Sequence, residues 1–514
     1  MTLARAWSVA LVGLEGTPVE VEAHIGTGLP RTVLVGLPDA SLYEARDRCR
    51  AAMASTGFGW PADPVTINLS PATLPKAGSH YDLSIVAAIG AARGACDVAA
   101  LEGLVLLGEL GLDGRVRPVR GLLPAVLAAS QHQFRAVVVP AGQQREAALV
   151  EGLTVWGVQD LADLFDVLRG GPGTVMVPEP DERPDPSPPP GDLRDVAGQA
   201  EGRWALEVAA AGRHHLYLHG PPGVGKTLLA ERLPGILPDL ERSESLEVSA
   251  IHSLAGVSLP GGLIRRPPYS DPHHSASVAS LVGGGARIAV PGSVSRAHRG
   301  VLFLDEAPEF SPRALEALRV PLESGRIVLG RALATAVYPA SFQLVLAANP
   351  CPCGMAATPG AVCRCPPMAI RRYADRVSGP ILDRIDIHQH LRPVRKAFLA
   401  QAVRSAESSA AVAVRVQEAR QRQAVRLGTT GWRTNGEVPG PVLRRQLPLP
   451  DGIDLLDEAV SRGRLSARGV DKVLRLAWTI ADLAGRDRPG REQLHVALAM
   501  RRGEEPGAVG RKGA

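Results

Sequence analysis

The chain has 514 residues, 45% of them hydrophobic and 21% charged, with six cysteines and a formal net charge of +5. That length favours about three domains, and the composition excludes a largely disordered chain or a disulfide scaffold. The mild positive charge favours a polyanionic partner only weakly, and 4% aromatic residues argue against a surface of many stacking rings.

Near the N-terminus a short apolar run meets Glu15 where a secretory signal would need small residues, so no such signal is expected. No run approaches about 18 uninterrupted apolar residues, so no membrane contact is expected, and a cytoplasmic location with reduced or metal-bound cysteines follows.

Residues 1–170 read as mixed α/β. Strands are expected at Val9–Leu14, Val19–Ala23, Thr66–Leu69 and Val137–Pro140, with helices at Ala40–Thr56, Leu83–Arg93 and Leu161–Leu168. Leu104–Leu107 and Arg115–Pro118 flank the turn Leu112-Asp113-Gly114 and predict a hairpin. Residues 171–191 read as a linker, because a Pro-rich, acidic run with almost no apolar content cannot bury enough surface to fold.

Residues 192–392 read as a parallel-sheet α/β domain, with apolar strands at His215–His219, Val301–Leu304 and Phe342–Ala347. Residues 393–514 read as helical, with helices over Ala397–Arg426, Asp454–Arg462, Ala467–Leu483 and Arg491–Met500.

The sharpest motif is Gly220, Pro221, Pro222, Gly223, Val224, Gly225, Lys226, Thr227, a full match to a phosphate-binding loop between a strand and a helix. Its glycines let backbone N–H groups curl around phosphates, and the helix N-terminus adds partial positive charge. Lys226 is expected on the β/γ-phosphates and the Thr227 hydroxyl on Mg²⁺, which makes ATP and Mg²⁺ the expected ligands. Asp305 and Glu306 end the strand Val301–Leu304. Asp305 suits the Mg²⁺ water shell, and Glu306 suits polarising the attacking water. Asn349 ends a third strand and can orient that water; as a turn former before Pro350 it has a blander reading. Arg384 and Arg468 lie in a compact loop and at a helix start. From the residues alone, each is as readily a surface arginine as one that stabilises a transferring phosphoryl group.

Taken together, GPPGVGKT, PHHSAS (Pro272–Ser277), LVGGG (Leu281–Gly285), VLFLDE, AANPCPCG, SGPILDRIDI, SARGVDKVLRLAWTIADL and NLSPATLPKAGSHYDL resemble the YifB/ComM family, AAA+ ATPases of the magnesium-chelatase-like branch. The resemblance covers almost the whole chain. It implies a homohexameric ring with ATP between subunits, Arg384 as an arginine finger acting in trans and Arg468 as the sensor 2 arginine. It also implies insertions that include Gly261–Val290 and Pro321–Pro339, and a helical lid. The family's ComM proteins are DNA-dependent branch-migration motors in natural transformation. The N-terminal domain resembles the Lon protease fold, but alignment puts His80 at the nucleophile position and Leu123 at the lysine position, and a serine without a base is a poor nucleophile.

Cys351, Cys353, Cys363 and Cys365 form C-x-C-x₉-C-x-C. Four thiolates so close suit a structural Zn²⁺ site, although the spacing is unusual and a loop of reduced thiols is the alternative. His273 and His274 are read first as a packed loop, and otherwise as a contact to nucleotide, DNA or a neighbouring subunit. From Arg395 to Arg445 nine Arg and one Lys face three Glu. Within this stretch Arg404, Arg415, Arg420, Arg422, Arg426 and Arg433 suit a phosphate backbone, and equally a solvated helix face or a subunit surface.

The leading expectation is an ATP-driven motor on single-stranded or branched DNA. The alternatives are a chelatase-like machine remodelling a protein client, and a ring scaffold whose assembly ATP controls. Magnesium insertion into porphyrin is disfavoured, since the chain has no D-x-S-x-S run.

Overall fold

The computed structural model describes residues 2–36, 40–76, 78–171, 173–176, 191–259, 261–285, 289–331, 334–356, 360, 362–393, 406–428 and 431–504.

A long hairpin of β1 (Thr2–Val12) and β2 (Glu15–Ile25) organises the N-terminal unit. Gly13, at φ +66° in its turn, meets the Val337 carbonyl so closely that a Cβ there would sit 2.9 Å from the oxygen. The remaining strands are β3 (Thr32–Val35), β4 (Val65–Ser70), β5 (Leu104–Leu106), β6 (Glu109–Leu110), β7 (Val116–Arg117), β8 (Ala136–Pro140), β9 (Thr154–Val158) and β10 (Thr174–Met176). All of these ten strands except β6 and β7 form one mixed sheet in the order β10-β9-β8-β5-β1-β2-β4-β3. Helices α1 (Ala40–Ser55), α2 (Asp82–Ala92) and α4 (Leu161–Leu168) share one core with the sheet, and α3 (Leu122–Gln131) closes the other face. Along β8, Val138 enters the first core while Val137 and Val139 enter the second. Burial on both faces explains why this strand is uniformly apolar instead of alternating.

Two expectations need correction here. The Leu104–Leu107 segment does not pair with Arg115–Pro118: β5 runs parallel between β1 and β8, and the hairpin is the shorter β6–β7 pair. Within 171–191, Thr174–Met176 is a strand bonded antiparallel to β9, so the ordered sheet extends into the segment read as linker. Residues 177–190 lie outside the described residues.

The central unit is built on β11 (Leu216–His219), β12 (Tyr269–Ser270), β15 (Val301–Leu304), β18 (Gln343–Ala348) and β19 (Ile387–His390), parallel and ordered β12-β15-β18-β11-β19. Helices α5 (Ala200–Gly212), α6 (Lys226–Arg232) and α7 (Arg242–Leu254) belong to it. So do two small hairpins, β13 (Gly283–Gly284) with β14 (Val290–Pro291) and β16 (Arg326–Gly330) with β17 (Thr335–Pro339). The Gly261–Val290 span is therefore not wholly an insertion, because it contains β12, a strand of the central sheet. Two residues paired to Val301 and Leu302 leave no periodic signal to read.

Helices α8 (Ser409–Leu427), α9 (Asp454–Ser461), α10 (Ala467–Leu483) and α11 (Arg491–Arg502) form the C-terminal unit. The helix expected from Ala397 starts, among the described residues, only at Ser409, where the Ser408 hydroxyl accepts the Ala411 N–H as an N-cap. Val412, Val416 and Ala419 of α8 join one core with α5, α10 and β11, so these helices share their hydrophobic interior with the central sheet.

The first two units dock through α3 and α7. Ser253 on α7 donates to the buried Glu146 at 2.5 Å, and its hydroxyl and carbonyl accept the N–H groups of Leu123 and Gly121. No helix among the described residues is long and apolar enough to cross a membrane.

Candidate functional site

The sheet order brings three strand tips together. The phosphate loop follows β11, Asp305 and Glu306 follow β15, and Asn349 follows β18, which lies between the other two. Gly220 is tightly placed, since a Cβ there would lie 2.5 Å from the Leu391 carbonyl oxygen. Gly223 and Gly225 hold φ of +77° and +91°, a region that side chains other than glycine rarely adopt. Buried Gln199 braces the loop from behind, donating to the Val224 carbonyl at 3.0 Å and the Arg392 carbonyl at 2.8 Å.

Lys226 Nζ donates to the carbonyls of Gly220 (2.7 Å) and Pro221 (2.9 Å) and to Asn349 Oδ1 (2.9 Å). Burial lowers its pKa, and the nearby Asp305 and Glu306 carboxylates offset part of that. The Thr227 hydroxyl donates to Asp305 Oδ2 at 2.6 Å. Two adjacent oxygen donors of this kind fit a hard divalent cation such as Mg²⁺. Asp305 Oδ1 accepts the Glu306 N–H at 2.8 Å, and Glu306 sits at φ +50°. A left-handed conformation at a residue other than glycine costs energy and concentrates at functional sites. The half-exposed Glu306 carboxylate lies beside His274, whose Nδ1 is 3.8 Å from Glu306 Oε2. The His273 and His274 rings lie with centroids 4.0 Å apart, tilted by 36°, so the loop holding them sits beside the acid that follows β15.

Arg384 and Arg468 are not part of this cluster. Both line a cleft of about 1270 Å³ at the opposite, N-terminal end of the same sheet. Arg384 donates to the Pro380 carbonyl at 2.7 Å and pairs with Glu323, while the exposed Arg468 lies 3.9 Å from Asp383. The strands between the two ends run in register, Leu216 beside Ile387 and His219 beside His390. At about 3.3 Å per residue the two ends are separated by roughly 10 Å of strand before the loops are added. Lys472 on α10 braces the arginine loop. It donates to the Arg384 carbonyl at 2.8 Å and to Asp386 at 2.7 Å. Burial alone would raise Asp386, but Lys472 and His214 overcome it and hold the carboxylate well below its ordinary range.

The four loop cysteines converge. Sγ separations are 3.4 Å for Cys351–Cys353, 3.7 Å for Cys351–Cys363 and 3.7 Å for Cys353–Cys363. All four sulfurs lie within 4.8 Å of one another.

Among the described residues of the basic stretch, the arginines singled out above are engaged within the chain. Arg415 pairs with Glu207 and Glu407, and Arg420 is buried against the Ala210 carbonyl. Arg426 bonds Asp482 and Asn435 and lies over the Trp478 ring at 4.3 Å; Arg422 donates to the Asp482 carbonyl, and Arg433 pairs with Glu241. Arg415, Arg420, Arg422 and Arg426 thus fasten α8 to α5 and α10, while Arg433 reaches the N-cap residue of α7. Arg404 lies outside the described residues. In the N-terminal unit, His80 is buried with Nε2 2.8 Å from the Val9 carbonyl, and Leu123 is wholly buried in the core.

Sequence reasoning missed Gln199 and Lys472. Neither has a local signal, since their partners are 193 and 86 residues distant, at Arg392 and Asp386. The adjacent histidines were visible, but their proximity to Glu306 was not.

Family models match three parts of the chain: "Magnesium chelatase, subunit ChlI" over residues 192–399, "Subunit ChlI of Mg-chelatase" over 21–143, and "Magnesium chelatase, subunit ChlI C-terminal" over 406–501. An uncharacterised protein of Mycobacterium tuberculosis is 54% identical over 505 residues, spanning 98% of this chain and 99% of that protein. The protein YifB of Escherichia coli is 41% identical over 98% of this chain and 97% of its own. The competence protein ComM of Haemophilus influenzae is 38% identical over 98% of each.

Proposed function

The chain belongs to the YifB/ComM family of magnesium-chelatase-like AAA+ ATPases, and from that premise we propose that it assembles as a homohexameric ring that hydrolyses ATP to move branched or partly single-stranded DNA. Membership of the family implies an ATPase. The observation that carries the ring is the division of the site: Lys226, Thr227, Asp305, Glu306 and Asn349 gather at one end of the sheet, Arg384 and Arg468 at the other. A single chain has half of each site, and a head-to-tail neighbour supplies the remainder.

In this reading Lys226 exchanges its carbonyl partners for β- and γ-phosphoryl oxygens. Thr227 and Asp305 would hold Mg²⁺, which would supply positive charge to neutralise the phosphoryl oxygens. Asn349, freed from Lys226, orients a water, and Glu306 polarises it for attack on the γ-phosphorus as the bond to the β-phosphate breaks. Arg384 and Arg468 of the adjoining subunit stabilise charge on the group in transit. The β16–β17 hairpin carries the DNA contact at its tip. Arg331, just past the end of β16, donates to the carbonyl of Gly285 beside β13 at 2.8 Å, which ties the two hairpins together. The competence-protein name of the Haemophilus relative supports DNA as the substrate.

The test is the steady-state ATPase rate with and without single-stranded and branched DNA, beside a Lys226→Ala control and native mass spectrometry with ATP. Several-fold stimulation by DNA, weakened by salt and absent in the control, is expected from a hexamer. A rate indifferent to every DNA at low salt overturns the DNA reading and points to a protein client.

A further inference from the structure

We propose that Cys351, Cys353, Cys363 and Cys365 bind one structural Zn²⁺, and that this metal clamps the loop after Asn349 onto the phosphate loop. A tetrahedral Zn–S₄ centre with bonds of about 2.3 Å has sulfur–sulfur edges of about 3.8 Å. The three shortest Sγ separations, 3.4, 3.7 and 3.7 Å, fall close to that edge, and all four sulfurs lie within 4.8 Å of one another. Disulfide pairing would draw sulfurs together in twos at about 2.05 Å; here three sulfurs are mutually adjacent and the fourth closes the group. The surroundings suit thiolate charge, since the Ala356 N–H lies 3.3 Å from Cys351 Sγ as a donor. Such N–H···S bonds orient metal ligands and tune them. Four protein ligands leave no open position, so the metal is structural and not a Lewis acid for the reaction.

The place of the loop gives the site its consequence. Cys351 follows Asn349 by two residues, and Asn349 is bonded to Lys226. Between the first two cysteines and the second pair the chain turns at Gly354, at φ +78°, so tightly against the phosphate loop that a Cβ would lie 2.4 Å from Pro222 Cγ. Past Cys365 the helix Pro367–Ala374 leads to Arg376, which reaches the Glu309 carboxylate at 2.9 Å, just beyond Glu306. Fixing four sulfurs to one ion therefore fixes the covalent path that links Asn349, the phosphate loop and the segment after Glu306.

The test uses the full-length chain, purified reduced from zinc-supplemented medium. Elemental analysis is expected to find about one zinc per chain, and Co²⁺ replacement to give the intense visible bands of a tetrahedral thiolate site. Cys363→Ala and Cys365→Ala are expected to lower bound zinc at least tenfold, Cys365→His to retain it, and Cys96→Ala, at a buried thiol in the core of the N-terminal unit, to leave it unchanged. Less than a tenth of an equivalent of zinc in the parent chain, with no tetrahedral cobalt spectrum on titration, overturns the site, as does iron with sulfide in its place. Hydrogen exchange of residues 220–227 is expected to quicken several-fold on reversible zinc removal, and an unchanged rate overturns the clamp. The clamp's significance rests on the proposed ATP site, but neither metal content nor exchange requires turnover, so failure of the zinc site and failure of the ATPase reading are separately visible.

Discussion

Lys472 and Asp386 form a buried pair, Nζ to Oδ1 2.7 Å, that joins the helix carrying Arg468 to the strand that follows Arg384. The ammonium also holds the Arg384 carbonyl, so one side chain sets the position of both arginines.

Removing one partner strands the other charge in the interior, which costs about 3–5 kcal/mol. Lys472→Met is therefore expected to lower the thermal midpoint by several degrees. The double variant Lys472→Met/Asp386→Asn is expected to recover much of that loss. A double-mutant cycle on thermal or denaturant unfolding measures the coupling, and additive losses would contradict the pairing.

Lys226→Ala is expected to abolish nucleotide binding, because Nζ is the group aimed through the loop. Glu306→Gln keeps the loop and is expected to bind a fluorescent ATP analogue with near-parental affinity while turnover falls by about 10²–10⁴. Equal loss of binding in both variants would count against the division of roles.

Arg384→Ala is expected to be inactive but to bind nucleotide normally. Mixed one to one with Lys226→Ala, itself inactive, it is expected to restore activity, because about one site in four in a randomly mixed head-to-tail ring combines two intact halves. Stopped turnover in the mixture at ring-forming concentration would argue that Arg384 does not act across subunits.

Four histidines, His80, His215, His219 and His388, are pushed down to about 4, in each case chiefly by burial. Unfolded, they titrate near 6.5. Between pH 6.5 and 4 the unfolded chain therefore takes up protons that the folded chain refuses, and stability falls as pH falls, by about 1.4 kcal/mol per pH unit for each group fully in that window. Asp386 is displaced in the same direction, held down mainly by Lys472: its contribution is fully present above about 4 and is lost as pH drops through its depressed folded value, so it extends the trend below the histidine window. The thermal midpoint is expected to be clearly lower at pH 5 than at pH 7.5; a flat profile would show that these rings are solvated.

The cluster at the strand tips was legible because phosphate-loop chemistry demands residues at fixed short spacing: eight consecutive residues for the loop, and acids directly after an apolar strand. Asn349 was legible for the same reason, as a polar residue ending a third such strand. The partners of the α8 arginines were not legible because composition reports charge and not destination. Arg420 spends its guanidinium on Ala210, 210 residues away, and Arg426 on Asp482, 56 away. The two-residue β12 and the β5 pairing were illegible for another reason: their hydrogen bonds are set by neighbours in the sheet, and so short a strand has no period to display.

The ladder between β11 and β19 has one more consequence. Four consecutive register pairs join the strand that ends at the phosphate loop to the strand that begins beside Arg384, with no interruption along either. A ladder of that kind resists sliding of one strand past the other. In a ring of these chains, withdrawing the arginine from one interface would tilt the phosphate loop at the opposite interface of the same subunit, so firing at one site and loading at the next would be mechanically geared.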